Sequence, residues 1–488
     1  MDERNSSGRD ATCVHPLNCY IMTPMQIMKR LRNLSMRNRV LFALLLVLIL
    51  AVGVYYIPPV HDSLAWRIDS LHTRITYFFN PPDEAIFQPT EQAMLETIVA
   101  QTMQAYKTQP PQTKTATLRP GPTGTSTITA TPTITLTPLP ETVMLEGVKY
   151  EHQHGRYNYC GPANFSMSLT FWGWDGNRDV IGRAVMPGNT DNEGKPVNKD
   201  KNVMPYELQN YITEHVPSMS SVLRYGGNID VLKQLISAGF PVVVEKGIYE
   251  LDMNGKEGWM GHYAFVTGYD DTKRDLIYQD TYQPPGAPPG HNRRLSYEKF
   301  IEGWRAFNYV FVVVYPYERE AQVLSLLGDW VDDEWATQHA LTIAENESRS
   351  LLGIDQYFAW FNKGTSYVSL TNPDYSSAAL AYDYAFGLYA KLTGGESIRP
   401  YRMLWYQTGP YKAYFFSGRY ADVINLATTT LEDTISEPYL EESLYWRAQA
   451  EYMAGNTQAA IADYRAALKV HPHWELAIQA LQDLGVVP

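Results

Sequence analysis

The chain has 488 residues, 45% hydrophobic and 19% charged, which is too many for one hydrophobic core, so two or three folded units are expected. Its formal net charge is −12 and its soluble part shows no dense Lys/Arg face, which argues against nucleic acid as a partner. Of the three cysteines, Cys13 and Cys19 precede the first apolar segment; the single thiol beyond it, Cys160, has no internal disulfide partner and is either a small buried hydrophobe or a reactive group.

Residues 1–39 read as a cytoplasmic tail, and residues 40–57 (VLFALLLVLILAVGVYYI) as a transmembrane helix closed by Pro58-Pro59. Eighteen uncharged residues come close to the roughly 20 that cross hydrocarbon. Lys29, Arg30, Arg32, Arg37 and Arg39 precede the span, whereas only Arg67 and Arg74 follow closely. The positive-inside rule therefore places the N-terminus in the cytoplasm and the remainder outside, in a single-pass cell-membrane protein. No small-x-small cleavage site follows the apolar run, which favours an anchor over a cleaved signal. Met22 or Met25 is an alternative start that would remove Cys13 and Cys19.

Residues 58–142 read as a helical stalk and spacer. Ser63–Phe79 and Thr90–Tyr106 are helix-like, with Pro81-Pro82 between them, and Thr113 to Pro140 is rich in Thr and Pro. Such a segment cannot bury a core and extends as a spacer.

Residues 143–317 read as the first compact domain, a helix after Cys160, then polar loops, then strands at Pro241–Glu245, His262–Tyr269, Leu276–Asp280 and Tyr309–Tyr315. These runs are rich in β-branched and aromatic residues and bounded by Gly, Pro or Asp. A helix followed by an antiparallel sheet is an α+β arrangement. The segment HQHGRYNYCGPANFSMSLTFWGW (152–174) puts Cys160 at a helix start, because Pro162 suits the first turn. There the helix dipole and free N–H groups favour the thiolate, and Gly161 leaves room for a substrate carbonyl. A thiolate needs a base, and His262 begins a strand right after Gly261; the base needs an acceptor, and Asp280 ends the next strand. The turn Asp270–Asp275 would bring these strands side by side. Gln153 is a candidate oxyanion donor alongside the Cys160 N–H. Trp172 and Trp174 read as core.

CGPAN before an aromatic-rich helix, then GHY…TGYDD, then a strand ending in Asp resembles the bacteriocin double-glycine leader peptidase family, and more narrowly its stand-alone peptidase-like branch in the papain clan. RYGGNIDVLKQLISAGFPVVVE (224–245) and WRAFNYVFVVVYP (304–316) share the likeness, which runs from Tyr150 to Tyr317. It implies a papain-like cysteine peptidase domain with Cys160 as nucleophile, His262 as base and Asp280 as orienting acid, acting on a peptide or protein substrate. Gln153 lies slightly further from Cys160 than papain-like enzymes place their donor, so His152, His154 or Asn158 could serve instead. No G-x-x-x-x-G-K-[ST] loop occurs, so no transport ATPase is expected in this chain. His152 and His154 lack a carboxylate or thiol at metal spacing, and the loop 190–202 lacks the frame of a calcium loop; no metal or other cofactor is expected.

Residues 318–488 are helical in pattern. Gly455, Ala460, Tyr464, Ala467 and Pro472, with Ala448 upstream, fall at tetratricopeptide spacing. GRYADVINLATTTL (418–431) repeats the frame more loosely, and Trp360, Gly364, Tyr367, Tyr375, Ala378, Tyr382 and Ala385 fit with a longer turn. The region therefore resembles an all-α tetratricopeptide solenoid capped by Trp474–Leu484, separable from the peptidase domain and suited to binding a protein partner. The expected function is an extracytoplasmic thiol hydrolase that cleaves peptide bonds. The alternatives are a catalytically silent peptide-binding scaffold, or an amidase or acyl-transferase on the same fold.

Overall fold

The structure, a computed structural model, describes residues 35–55, 58–82, 85–89, 138–154, 156, 158–189, 202–251, 257–282, 289–392, 399–435 and 437–488. The expected helix Thr90–Tyr106, most of the Thr/Pro spacer and most of the loop 190–202 lie outside these residues. One compact unit ends at Arg67 and a second comprises Ile68–Pro488. The first contains helix α1 (Met36–Tyr55), whose mean hydropathy of 2.3 and 20 residues make it long and apolar enough to cross a membrane. Helix α2 (Pro58–Phe79) follows and starts earlier than its sequence pattern suggests.

The α+β region is a seven-stranded antiparallel sheet with helices on both faces. Strand β1 (Thr142–Met144) leads to helices α3 (Cys160–Phe171), α4 (Arg178–Val185) and α5 (Pro205–His215), then β2 (Met219–Arg224), α6 (Ile229–Ser237), β3 (Val242–Leu251), β4 (Glu257–Asp270), β5 (Asp275–Gln279), β6 (Arg293–Ser296), α7 (Tyr297–Arg305) and β7 (Phe311–Pro316). The strand order is β2-β7-β3-β4-β5-β6, and β1 pairs with the far part of β4. The expected strands at residues 241–245 and 262–269 are present as the longer β3 and β4, that at 276–280 is present one residue earlier as β5, and that at 309–315 starts two residues later as β7. Helices α4 and α5 occupy what reads as polar loop, and their starts explain why. Asn177 caps α4 by accepting the Asp179 and Val180 N–H groups, and Glu207 reaches back to the Met204 N–H at 2.7 Å with Pro205 just inside α5.

The strands are apolar throughout because both faces are covered. Val242, Val244, Ala264, Val266, Phe311 and Val313 face one layer, with Leu232 and Leu235 of α6 and Phe300 of α7. The alternate residues Val243, Phe265, Val312 and Val314 face the other, with Phe165 and Leu169 of α3. Trp172 donates its indole N–H to Val314 O at 2.8 Å, and Trp174 packs edge-on against Tyr211; both are half-buried against the core.

The rest is helical: α8 (Glu320–Leu327), α9 (Asp333–Ser350), α10 (Gly353–Ser369), α11 (Tyr375–Lys391), α12 (Met403–Tyr406), α13 (Gly409–Phe416), α14 (Tyr420–Glu432), α15 (Glu441–Met453), α16 (Thr457–Val470) and α17 (Glu475–Asp483). Close approach within a pair is visible at Gly364, where a Cβ would stand 2.7 Å from the Tyr382 ring. Trp259 of β4 and Phe307 share one core with Tyr357, Phe361 and Tyr382 of the helical region, and the Arg402 guanidinium donates to Trp259 O at 3.0 Å.

Candidate active site

Cys160 is the first residue of α3, a helix buried from Gly161 to Thr170. Asn158, at φ 53°, turns the chain into it, and Tyr159 at the N-cap makes no side-chain capping bond, so the first-turn N–H groups stay available to an anion. The thiol is half-buried.

His262 lies on β4, 3% exposed, and donates its Nε2–H to Asp280 Oδ1 at 2.9 Å. Asp280 follows the last residue of β5, and its meeting with His262 depends on an irregularity between them. The β4–β5 register pairs Gly268 with Ile277 but Val266 with Tyr278, a bulge at Thr267. Side chains alternate faces along a strand, so the extra residue moves everything before it to the opposite face relative to β5. Beyond the bulge the register Phe265↔Gln279 places His262 on the same face as Asp280; without it they would face apart. Thr267 is held there by a bond from the Leu145 N–H to its carbonyl (2.8 Å) and one from the Gln279 amide to its hydroxyl (2.8 Å).

The His262 ring also interacts with Cys160. Burial works against a charged His262, but the hydrogen bond and charge of Asp280, and those of Cys160, outweigh it and push the imidazole up to about 9. Burial likewise raises the thiol, but the hydrogen bond and charge of His262, with backbone bonds at Tyr263 and Gly161, bring it below its ordinary value. Asp280 would also be raised by burial, and is instead held low by His262, by Arg293 and by the Tyr282 N–H. The shifts point the same way, towards a thiolate beside an imidazolium.

Several neighbours give no sign in the sequence pattern. The Asn164 amide donates to Cys160 O (2.8 Å) and Tyr263 O (2.9 Å), tying the first turn of α3 to β4 beside His262. Its only sequence signal is a buried polar residue four positions after the cysteine. Arg293 on β6 donates to Asp280 Oδ2 at 2.6 Å. Lys246 stands opposite His262 in the β3–β4 register; burial lowers it to about 8, against the charge of Asp280. Burial, then the charge of Cys160, raises Glu245 well above the usual carboxylate range, against a bond from Tyr263.

Gln153 lies one residue removed from this group. Its N–H donates to Thr281 O (2.9 Å) and its side-chain carbonyl accepts from the Thr281 hydroxyl (2.9 Å), which in turn lies 3.4 Å from the Asn164 amide. This orientation leaves the Gln153 NH2 as its donor end. His152 and His154 are exposed with rings 4.9 Å apart. Arg178 holds both, at His152 Nδ1 (3.3 Å) and His154 O (2.9 Å). Among the described residues, the group with metal-holding spacing is Glu207, Glu441 and His471, with one ligand atom each within 4.8 Å of the others; it includes none of the candidate site residues.

Residues 145–312 match the model of the Peptidase_C39 like family, so the α+β region is a C39-like domain, followed by a helical region. Among solved structures, one described as a C39-like peptidase from Bacillus anthracis is 17% identical, covers 36% of this chain and 97% of its own, and has a TM-score of 0.27. Xylellain, a cysteine protease from Xylella fastidiosa, is 16% identical over 37% of this chain and 87% of its own, with a TM-score of 0.25. No curated protein matches the chain.

Proposed function

We propose that the protein is a membrane-anchored, extracytoplasmic cysteine peptidase whose C-terminal helices form a tetratricopeptide array that binds a protein partner. The catalytic reading is supported above all by the His262 ring, which is hydrogen-bonded to Asp280 and whose interaction with Cys160 raises the imidazole and lowers the thiol. In this mechanism the Cys160 thiolate adds to the scissile carbonyl, and the oxyanion is met by the Cys160 N–H and the Gln153 amide. Collapse of the tetrahedral adduct expels the amine, which takes its proton from the His262 imidazolium and leaves a thioester. The neutral imidazole then deprotonates water, whose attack releases the acid and restores the thiolate. Asp280 stays ionised and fixes the ring.

The test is iodoacetamide labelling alongside cleavage of a peptide library. Cys160 is expected to label at mildly acidic pH, below the ~8.5 of a free thiol. Cys160→Ala is expected to abolish cleavage and the label mapped to the 152–174 peptide, and Gln153→Ala to keep that label while costing on the order of a hundredfold in turnover. Labelling only above pH 8, indifferent to His262→Ala, would sink the proposal.

A further inference from the structure

Residues 85–89 (AIFQP) lie on the helical region, outside any helix or strand. Alternate side chains turn inward: Phe87 is 6% exposed and Pro89 is buried, while Ile86 and Gln88 face out. The Phe87 ring meets Phe386 of α11 edge-on at 5.1 Å and Tyr414 of α13 at 6.1 Å. Ala85 and Phe87 line a cleft with Tyr357, Tyr389, Met403 and Leu426, so α10, α11, α12, α13 and α14 all contribute to the seat. A short segment gripped through every second side chain is a peptide-ligand geometry. In sequence the segment follows Pro81-Pro82 and is joined to the peptidase domain through the Thr/Pro tract, which cannot bury a core of its own. Its attachment to the helices is therefore an intramolecular binding event between a tethered peptide and a groove.

We infer that this groove is a docking site for aromatic-x-proline peptides, which the chain's own residues 85–89 occupy in cis. The inference deepens the partner-binding half of the proposed function and is independent of its peptidase half, because the experiment reads docking and not hydrolysis. A ligand tethered in the same chain is presented at an effective concentration on the order of millimolar, so a free peptide competes poorly until the tethered copy is weakened. A fluorescent peptide of residues 82–92 is expected to bind the detergent-solubilised full chain carrying Phe87→Ala at least tenfold more tightly than the unmodified chain. Equal affinity for the two, or no binding to a Phe87→Ala chain that still melts cooperatively, overturns the inference. Should Phe87→Ala fail to fold, an engineered protease site in the Thr/Pro tract of the otherwise unchanged chain gives the same answer. After cutting, the N-terminal piece is expected to co-elute with the C-terminal piece and to be released by excess peptide. Immediate separation, or co-elution that the peptide does not disturb, overturns it.

Discussion

The C39-like domain and the helical region both bury charge, and they use it differently. In the helical region Arg419 bonds Asp383 and Asp422 at 2.7 Å each, Tyr414 donates to Asp383 at 2.8 Å, and the guanidinium lies 4.3 Å from the Tyr414 ring centroid. Burial raises Asp383, and Arg419 and Tyr414 offset the shift. That network closes on itself and joins helices α11, α13 and α14. In the C39-like domain the chain of bonds from Arg293 through Asp280 reaches His262, which interacts with a half-buried thiol and lowers it. Buried ion pairs are thus weak signs of function; a network that ends beside a thiol held below its ordinary pKa is a stronger one.

The comparison can be broken or sharpened by four variants, ordered by expected effect on turnover. Asp280→Asn removes the acceptor that fixes the imidazole tautomer, and is expected to lower kcat by up to about 10⁴. It also removes the charge that supports His262 near 9, so the alkaline limb of the pH–rate profile should move down towards the ordinary 6.5. An unmoved limb would mean that Asp280 does not set the ring's charge. The same shift has a stability counterpart. Charged His262 contributes fully below its unfolded pKa of about 6.5, and that contribution is lost as pH rises through about 9.

Deletion of Thr267 removes the bulge and turns His262 away from Asp280. Turnover is expected to fall by a comparable factor, up to about 10⁴, because the same acceptor is lost, and alkylation of Cys160 to shift to higher pH while circular dichroism stays α+β. Asn164→Ala cuts the tie between α3 and β4. A loss of ~1–3 kcal/mol in denaturant stability is expected from the unsatisfied carbonyls, with a turnover loss of about tenfold or less. Asp383→Asn, in the closed network, is expected to cost ~1–3 kcal/mol in stability and leave kcat/KM and the pH profile unchanged. A change in that profile would show that the helical network is coupled to the thiol.

Much of the site was legible because its signals are local. Pro162 and Gly161 mark a helix start, and a cysteine placed there meets free N–H groups whatever the rest of the chain does. The strands at residues 241–245, 262–269 and 309–315 announce themselves as apolar, β-branched runs because the sheet is covered on both faces. Asn164, Arg293 and Thr281 were not legible. Each is an ordinary polar residue until the fold brings its partner, from far along the chain, within hydrogen-bond distance.

By itself the sequence determined the apolar span at residues 40–57, the helix that begins at Cys160, the presence of a histidine strand and an aspartate strand joined by a turn, and the helical pattern beyond residue 318. All of these follow from composition and short-range periodicity, which act over a few residues. Only the tertiary structure decided which face of β4 His262 shares with Asp280, since one bulged residue at Thr267 reverses that parity. It also decided that Trp259 and Phe307 share a core with Tyr357, Phe361 and Tyr382 of the helices, and that Phe87 is seated between Phe386 and Tyr414. Register and side-chain contact between distant segments depend on how the whole set of apolar surfaces packs together, and no local window of the chain contains that information.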